Sequence, residues 1–271
     1  MRFIKSHGLG NDYLVLASGE TMTPERAVVI CDRHTGVGGD GVLEPVPSDV
    51  ADFGVRIWNP DGSTAEKSGN GLRIFARWLV DHCLAALEFT VEVPSGVAGC
   101  RVHPETGHVT VDMGQATLDP AGVPCTQALR DTEVTVCGAA LRLTCVGMGN
   151  PHCVALVVEP DLDALPWRAW GAALEVDGRF PHRTNVQVAR VVDRHTLEAR
   201  IWERGAGETQ ASGSSACAVA VTAFVLGHTE RDVVVRMPGG DLNVRVDDDL
   251  SVTQVGPVVE VGEVLLRMRL P

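Results

Sequence analysis

Apolar and β-branched residues recur along this chain in short alternating or clustered runs between glycine and proline breaks, the pattern of half-buried strands. Runs of this kind cover 87–93, 100–102, 108–113 and 132–136, and the theme repeats at 154–158, 185–192, 196–202, 233–237, 242–246 and 258–266. Helical spacing is rarer. Thr23-Pro24-Glu25 supplies an N-cap, a first-turn proline and an early acid, which predicts a helix from Pro24 to about Arg33. Two more helical patterns run through Leu72, Phe75, Ala76 and Leu79, and through Ala216, Val219, Ala220 and Ala223. Both are alanine-rich and apolar on most faces, so both are expected to be buried. Many antiparallel strands around one buried helix per half is an α+β arrangement. The stretch 115–124 reads as a link, giving an N-terminal half over 1–115 and a C-terminal half over 116–258. A last strand within 259–271 is expected to pack back on the first half.

The two buried helices open on a repeat. Arg56-Ile57-Trp58-Asn59 leads to Ser68-Gly69-Asn70-Gly71, and Arg200-Ile201-Trp202-Glu203 leads to Ser212-Gly213-Ser214-Ser215. From Arg to Ser is twelve residues in both copies, and the copies lie 144 residues apart. A helix N-terminus carries unpaired N–H groups and the positive end of the dipole. Two such ends, lined by small residues, suit a carboxylate. Taken singly, Ser68 and Ser212 also read as ordinary N-caps; the duplicated context is what favours a ligand.

A net charge of −12 argues against a nucleic-acid or membrane-surface partner, either of which wants clustered Lys and Arg. No apolar run approaches the roughly 20 residues of a membrane-spanning helix, and Met1-Arg2-Phe3-Ile4-Lys5-Ser6-His7 lacks the apolar core of a signal peptide. The eight cysteines are scattered without a C-x-x-C pair, which predicts buried reduced thiols of a cytoplasmic protein and no metal site.

Gly36-Val37-Gly38-Gly39-Asp40-Gly41 matches the spacing of a dinucleotide fingerprint. That fingerprint works only where a helix opens behind a strand. Here the predicted helix comes first, and Pro45 and Pro47 stop any helix after it, so a tight turn lining a cleft is the better reading. The remaining polar clusters are short, bounded by glycine and rich in amides. They are His7 through Asp12, Asn59 through Ser63, Gly147 through His152, Arg183-Thr184-Asn185 and Glu203-Arg204-Gly205. Asn11, Asn59, Asn150, Asn185, Glu203 and Arg204 are the kinds of group that read amino and carboxylate functions by directional hydrogen bonds. An Asn beside Gly is also a common turn residue. His7 and His152 are candidate bases or structural histidines.

With these motifs in hand, the chain resembles the diaminopimelate epimerase family over nearly all of its length. The resemblance rests on Lys5 through Asp12, Asp32-Arg33 through Asp40-Gly41, Asn59 through Arg73, Met148 through His152, and Glu203 through Ala218. It implies two similar domains, each a barrel-like sheet around a central helix, with the active site in the cleft between them. It implies a cofactor-free reaction on diaminopimelate, with a homodimer as an admissible assembly. In the family, one cysteine thiolate removes the α-proton while a second thiol delivers a proton from the far side. Helix dipoles lower the thiol pKa and stabilise the developing carbanion. By the same resemblance Gly69-Asn70 and Gly213-Ser214 supply backbone donors to the α-carboxylate. Asn11, Asn59, Asn150, Asn185, Glu203 and Arg204 read the other groups, Arg204 pairing with the distal carboxylate, and His152 supports them.

The departure falls on the chemistry. The flanking residues align Ser68 and Ser212 with the family's catalytic cysteines. A serine hydroxyl is far less acidic than a thiol, and each unit of pKa mismatch costs about 1.4 kcal/mol. A Ser–Ser pair without a neighbouring base is therefore expected to bind substrate and turn it over slowly or not at all. Three readings stay open: an epimerase whose two cysteines have been replaced, a relative using Ser–Ser for another amino-acid reaction such as racemisation or dehydration, and a non-catalytic amino-acid-binding protein.

Overall fold

In a computed structural model, which describes residues 1–159 and 161–267, the chain divides into two compact units. One is Met1–Asp112 with the chain from Gly256 onward, and the other is Met113–Val255. Residues 268–271, the end of the expected last strand, lie outside the described residues.

In the first unit β1 (Arg2–Gly8) and β2 (Asn11–Leu16) form a hairpin, and β2 runs parallel to β3 (Gly41–Val46). Next, β3 pairs antiparallel with β4 (Phe53–Trp58). One end of β4 carries the short β5 (Thr64–Ala65), and its other end runs parallel to β6 (Glu88–Val93). A meander through β7 (Gly96–His103) and β8 (His108–Gln115) completes it.

The second unit repeats this order. A strand β9 (Thr132–Val136) flanks β10 (Ala139–Gly147), which pairs with β11 (Pro151–Leu156). Then β11 runs parallel to β12 (Asn185–Asp193), and β12 pairs with β13 (Thr196–Glu203). The short β14 (Gly207–Thr209) and the parallel β15 (Asp232–Met237) take the two ends of β13. The meander is closed by β16 (Gly240–Val246) and β17 (Ser251–Pro257). In the first unit, β18 (Val259–Leu265) adds to β1.

Parallel neighbours need a crossover, which hairpins cannot supply. Among the described residues each unit has two parallel pairs and two α-helices. Between β2 and β3 lies α1 (Pro24–Cys31), and α2 (Gly69–Asp81) leads into β6. Between β11 and β12 lies α3 (Trp167–Glu175), and α4 (Gly213–Val225) leads into β15. Thus the α+β reading holds, and the repeat extends from a dozen residues to the full topology of each unit. The helix α3 is an addition to the three predicted from spacing. Only nine residues long, it starts behind Pro166 without a side-chain cap, so it lacks the usual start signal.

The first helix ends at Cys31, two residues earlier than its pattern suggests. The Asp32 carboxylate accepts the N–H groups of His34 and Thr35 at 2.9 and 2.6 Å, which turns the chain out of the helix. The glycine run behind it leads into β3, as the rejection of a nucleotide motif requires. A Cβ on Gly36 would run into the Val29 carbonyl oxygen, so only glycine permits that turn.

Central helices α2 and α4 are buried as predicted. On α2, Leu72, Ile74 and Phe75 are sealed, each contributing about 1.5–3 kcal/mol. On α4 every residue from Gly213 to Ala223 is buried, its small side chains letting surrounding strands approach closely. All eight cysteines are free thiols. Five are buried, but Cys83 and Cys137 are exposed and Cys125 is intermediate, so the expectation of uniformly buried thiols fails at those three. No helix among the described residues is long and apolar enough to cross a membrane.

Candidate active site

Ser68 is the N-cap of α2 and Ser212 that of α4. The two are not equivalent. Ser68 Oγ accepts the Gly71 N–H at 3.0 Å and is hydrogen-bonded by the Tyr13 hydroxyl at 3.2 Å. Ser212 is buried and makes no side-chain cap bond. Neither helix has an acidic residue in its first turn, so the positive end of each dipole is left unneutralised there.

Around Ser68 a directional chain of hydrogen bonds holds the predicted amides. Arg73, fully buried within α2, donates from Nη2 to Asn70 Oδ1 at 2.7 Å. Asn70 Nδ2 donates to Asn11 Oδ1 at 3.1 Å, and Asn11 Nδ2 donates to Asp40 Oδ2 at 2.8 Å. Because guanidinium can only donate, it fixes which way both amides face. The chain ends in an ion network. Asp12 receives Arg33 at 2.6 Å and Lys5 at 3.0 Å, and Arg33 also bridges to Asp40 at 2.7 Å. Burial works against the Asp12 carboxylate, but hydrogen bonds from Arg33 and Lys5 outweigh it and hold its pKa below the usual range. A Cβ on Gly8 would stand 2.9 Å from Arg73 Nη2, so the glycine makes room for the guanidinium. Asn59 has a different engagement: its Nδ2 donates to Ser63 Oγ at 3.0 Å and closes its own turn. His7 Nδ1 accepts the Gly10 N–H at 3.3 Å, a turn-stabilising role.

Asn150, His152, Asn185 and Arg204 meet in the second unit. Parallel register sets His152 opposite Asn185. Asn185 Nδ2 donates to the Pro151 carbonyl at 2.9 Å, and its Oδ1 accepts the Arg204 N–H at 2.9 Å, tying β12 to both neighbouring loops. His152 is fully buried and its Nε2 lies 2.8 Å from Asn150 Oδ1. Burial, aided by the nearby Arg204 charge, pushes its pKa down to about 3, so the ring is neutral and cannot be a base near pH 7. Gln187 Nε2 reaches both His152 Nδ1 at 3.1 Å and Ser215 Oγ at 2.9 Å, linking the ring to the first turn of α4. Glu203 closes β13, and Gly213 and Ser214 form the buried start of α4.

The tryptophans of the repeat serve the fold. Trp58 Nε1 donates to buried Glu44 at 2.8 Å and Trp202 Nε1 donates to Glu175 at 2.8 Å. Glu175 also accepts the Gly205 N–H at 2.9 Å; burial opposes its charge, yet these bonds and Arg183 keep its pKa low. Tyr13, Glu175 and Gln187 escape a reading by motif: each lies within a strand or helix, and only the tertiary structure brings it beside the site. Asp40 and Arg73 fall within the quoted motifs, but their hydrogen-bonding roles are visible only in the structure.

The family model for diaminopimelate epimerase matches residues 3–118 and 144–261. Among curated proteins, a diaminopimelate epimerase of Azotobacter vinelandii is 42% identical, with 99% of each chain covered. The diaminopimelate epimerase 2 of a Nostoc species is 40% identical over 97% of this chain and 94% of its own. Among solved structures, a predicted epimerase from Pseudomonas aeruginosa superposes with a TM-score of 0.70 at 20% identity, covering 99% of both chains. A probable proline racemase from Agrobacterium radiobacter gives 0.73 at 13% identity, covering 99% of this chain and 93% of its own. At such identities these two establish the fold alone.

Proposed function

The chain belongs to the diaminopimelate epimerase family of cofactor-independent isomerases, and we propose that it binds diaminopimelate in a two-base site whose proton-transfer groups are Ser68 and Ser212. In this reading the first-turn amides at Gly69-Asn70 and Gly213-Ser214 hold the α-carboxylate. Asn11, Asn59, Asn150, Asn185, Glu203 and Arg204 recognise the remaining amino and carboxylate groups, and His152 orients Asn150. We take the chain to act in lysine and cell-wall precursor synthesis in the cytoplasm, a reading that the family membership supports.

The observation that carries the reading is the duplicated placement of Ser-Gly at the start of a buried helix, the first turn of α2 bonded through Asn70 to Asn11 and that of α4 bonded through Ser215 to Gln187. Binding and turnover separate in the same picture. Replacing sulfur by oxygen changes size little, so recognition survives. Among the described residues, the bonds to Ser68 Oγ come from an amide and a phenol, and no imidazole or carboxylate is hydrogen-bonded to either serine to act as a base. The chain is thus expected to hold substrate and exchange its α-proton very slowly.

Incubation with diaminopimelate in deuterium oxide, followed by proton NMR, tests this. The unaltered chain should bind but incorporate little α-deuterium, whereas the Ser68→Cys/Ser212→Cys double variant should exchange and epimerise. Rapid exchange by the serine form would overturn the acidity argument. Binding without exchange in either form would leave an amino-acid-binding role in place of catalysis.

A further inference from the structure

The cluster joining Asn150, His152, Gln187 and Ser215 contains more chemistry than the two-base reading uses. His152, Gln187 and Ser215 are fully buried, on β11, β12 and the first turn of α4. A side-chain amide nitrogen can only donate. Gln187 Nε2, 3.1 Å from His152 Nδ1, therefore requires that nitrogen to accept. The ring is neutral, so its single proton stands on Nε2 and is given to Asn150 Oδ1 at 2.8 Å. With its oxygen thus taken, Asn150 turns its Nδ2 donor away from the ring. Asn150 is partly exposed, at the end of the turn that joins β10 to β11, so that donor is available to a ligand.

We propose that Gln187 is a specificity-determining positioning residue: through the tautomer of His152 it sets Asn150 to present an N–H donor, selecting a carboxylate over an ammonium group at that point of the substrate. The link to Ser215 Oγ fastens the same amide to the first turn of α4, so the orientation of Asn150 and the carboxylate-binding helix start are held by one side chain. Reversing the donor at position 187 reverses the whole series. A carboxylate there accepts Nδ1–H, Nε2 becomes an acceptor, Asn150 rotates to donate to it, and Oδ1 faces the ligand. This rests on the diaminopimelate reading for the identity of the ligand, although the tautomer does not depend on any ligand.

The test is nitrogen-15 NMR of the histidine rings at pH 8, in the full chain and in Gln187→Glu, combined with calorimetric binding of diaminopimelate and of lysine, which lacks the distal carboxylate. In the unaltered chain His152 should show a protonated Nε2 and a bare Nδ1, with diaminopimelate bound at least tenfold more tightly than lysine. In Gln187→Glu the two ring nitrogens should exchange character and the preference for diaminopimelate should fall at least threefold, the part supplied by Arg204 remaining. Gln187→Met, which offers neither donor nor acceptor, should give a mixture of tautomers and an intermediate preference, and it covers the case in which the charged variant does not fold. A bare Nε2 in the unaltered chain would overturn the proposal. So would an exchanged tautomer that leaves the diaminopimelate preference intact. Failure of the unaltered chain to bind diaminopimelate would instead refute the functional reading, while the ring signals would still decide the role of Gln187.

Discussion

His152 makes the acid stability of this protein predictable. The folded ring has a pKa of about 3, driven down first by complete burial and then by the Arg204 charge, whereas an unfolded histidine titrates near 6.5. Below pH 6.5 the unfolded chain takes up a proton that the folded one refuses. Stability is therefore complete above about pH 6.5 and falls as the pH drops toward 3, by up to about 1.4 kcal/mol per pH unit. Between pH 7 and 4.5 the loss from this one ring amounts to about 2 to 3 kcal/mol. His152→Gln should remove that slope, because the glutamine can donate to Asn150 and accept from Gln187 without titrating. Urea unfolding of both proteins at pH 7.0, 5.5 and 4.5 measures the difference. The other eight histidines are common to both, and carboxylates held low by their partners, such as Asp12, titrate below this window. Parallel pH profiles for the two proteins would refute the reasoning, since they would mean that the folded ring takes up its proton as readily as the unfolded one.

Two further outcomes follow from the local geometry. Ser68→Ala should lower stability by about 1 kcal/mol, because it removes an engaged N-cap oxygen, whereas Ser212→Ala should change the urea midpoint hardly at all, its hydroxyl making no cap bond. Gly171→Ala on α3 should cost about 1–3 kcal/mol in thermal or urea unfolding, since the added Cβ would stand 2.7 Å from Trp202 Cβ and push the helix off β13.

Much of this molecule is legible before folding. Alternation of apolar residues marks most of the strands, and the Ser-Gly starts mark both central helices. The repeated Arg-Ile-Trp segment implies a duplication, and α3 stands in the second copy where α1 stands in the first. Short helices escape spacing arguments because nine residues give barely two turns of periodicity. Candidate ligand groups were legible as well, since Asn beside Gly in short loops is visible in one dimension. Their orientation was not.

That division has a physical cause. Which residues can donate, accept or titrate, and where helices start, is written in the order of residues, because these depend on covalent chemistry and near neighbours. The packed fold sets which way each amide faces. Arg73 orients Asn70 and Asn11, and Gln187 orients His152 and hence Asn150, through partners 35 to 59 positions apart for all but the nearest pairs. It also decided that the two serines differ, one hydrogen-bonded by Tyr13 from a strand 55 positions away and the other without a cap bond. A hydrogen bond depends on direction as well as on identity, and direction is fixed only when strands fall into register.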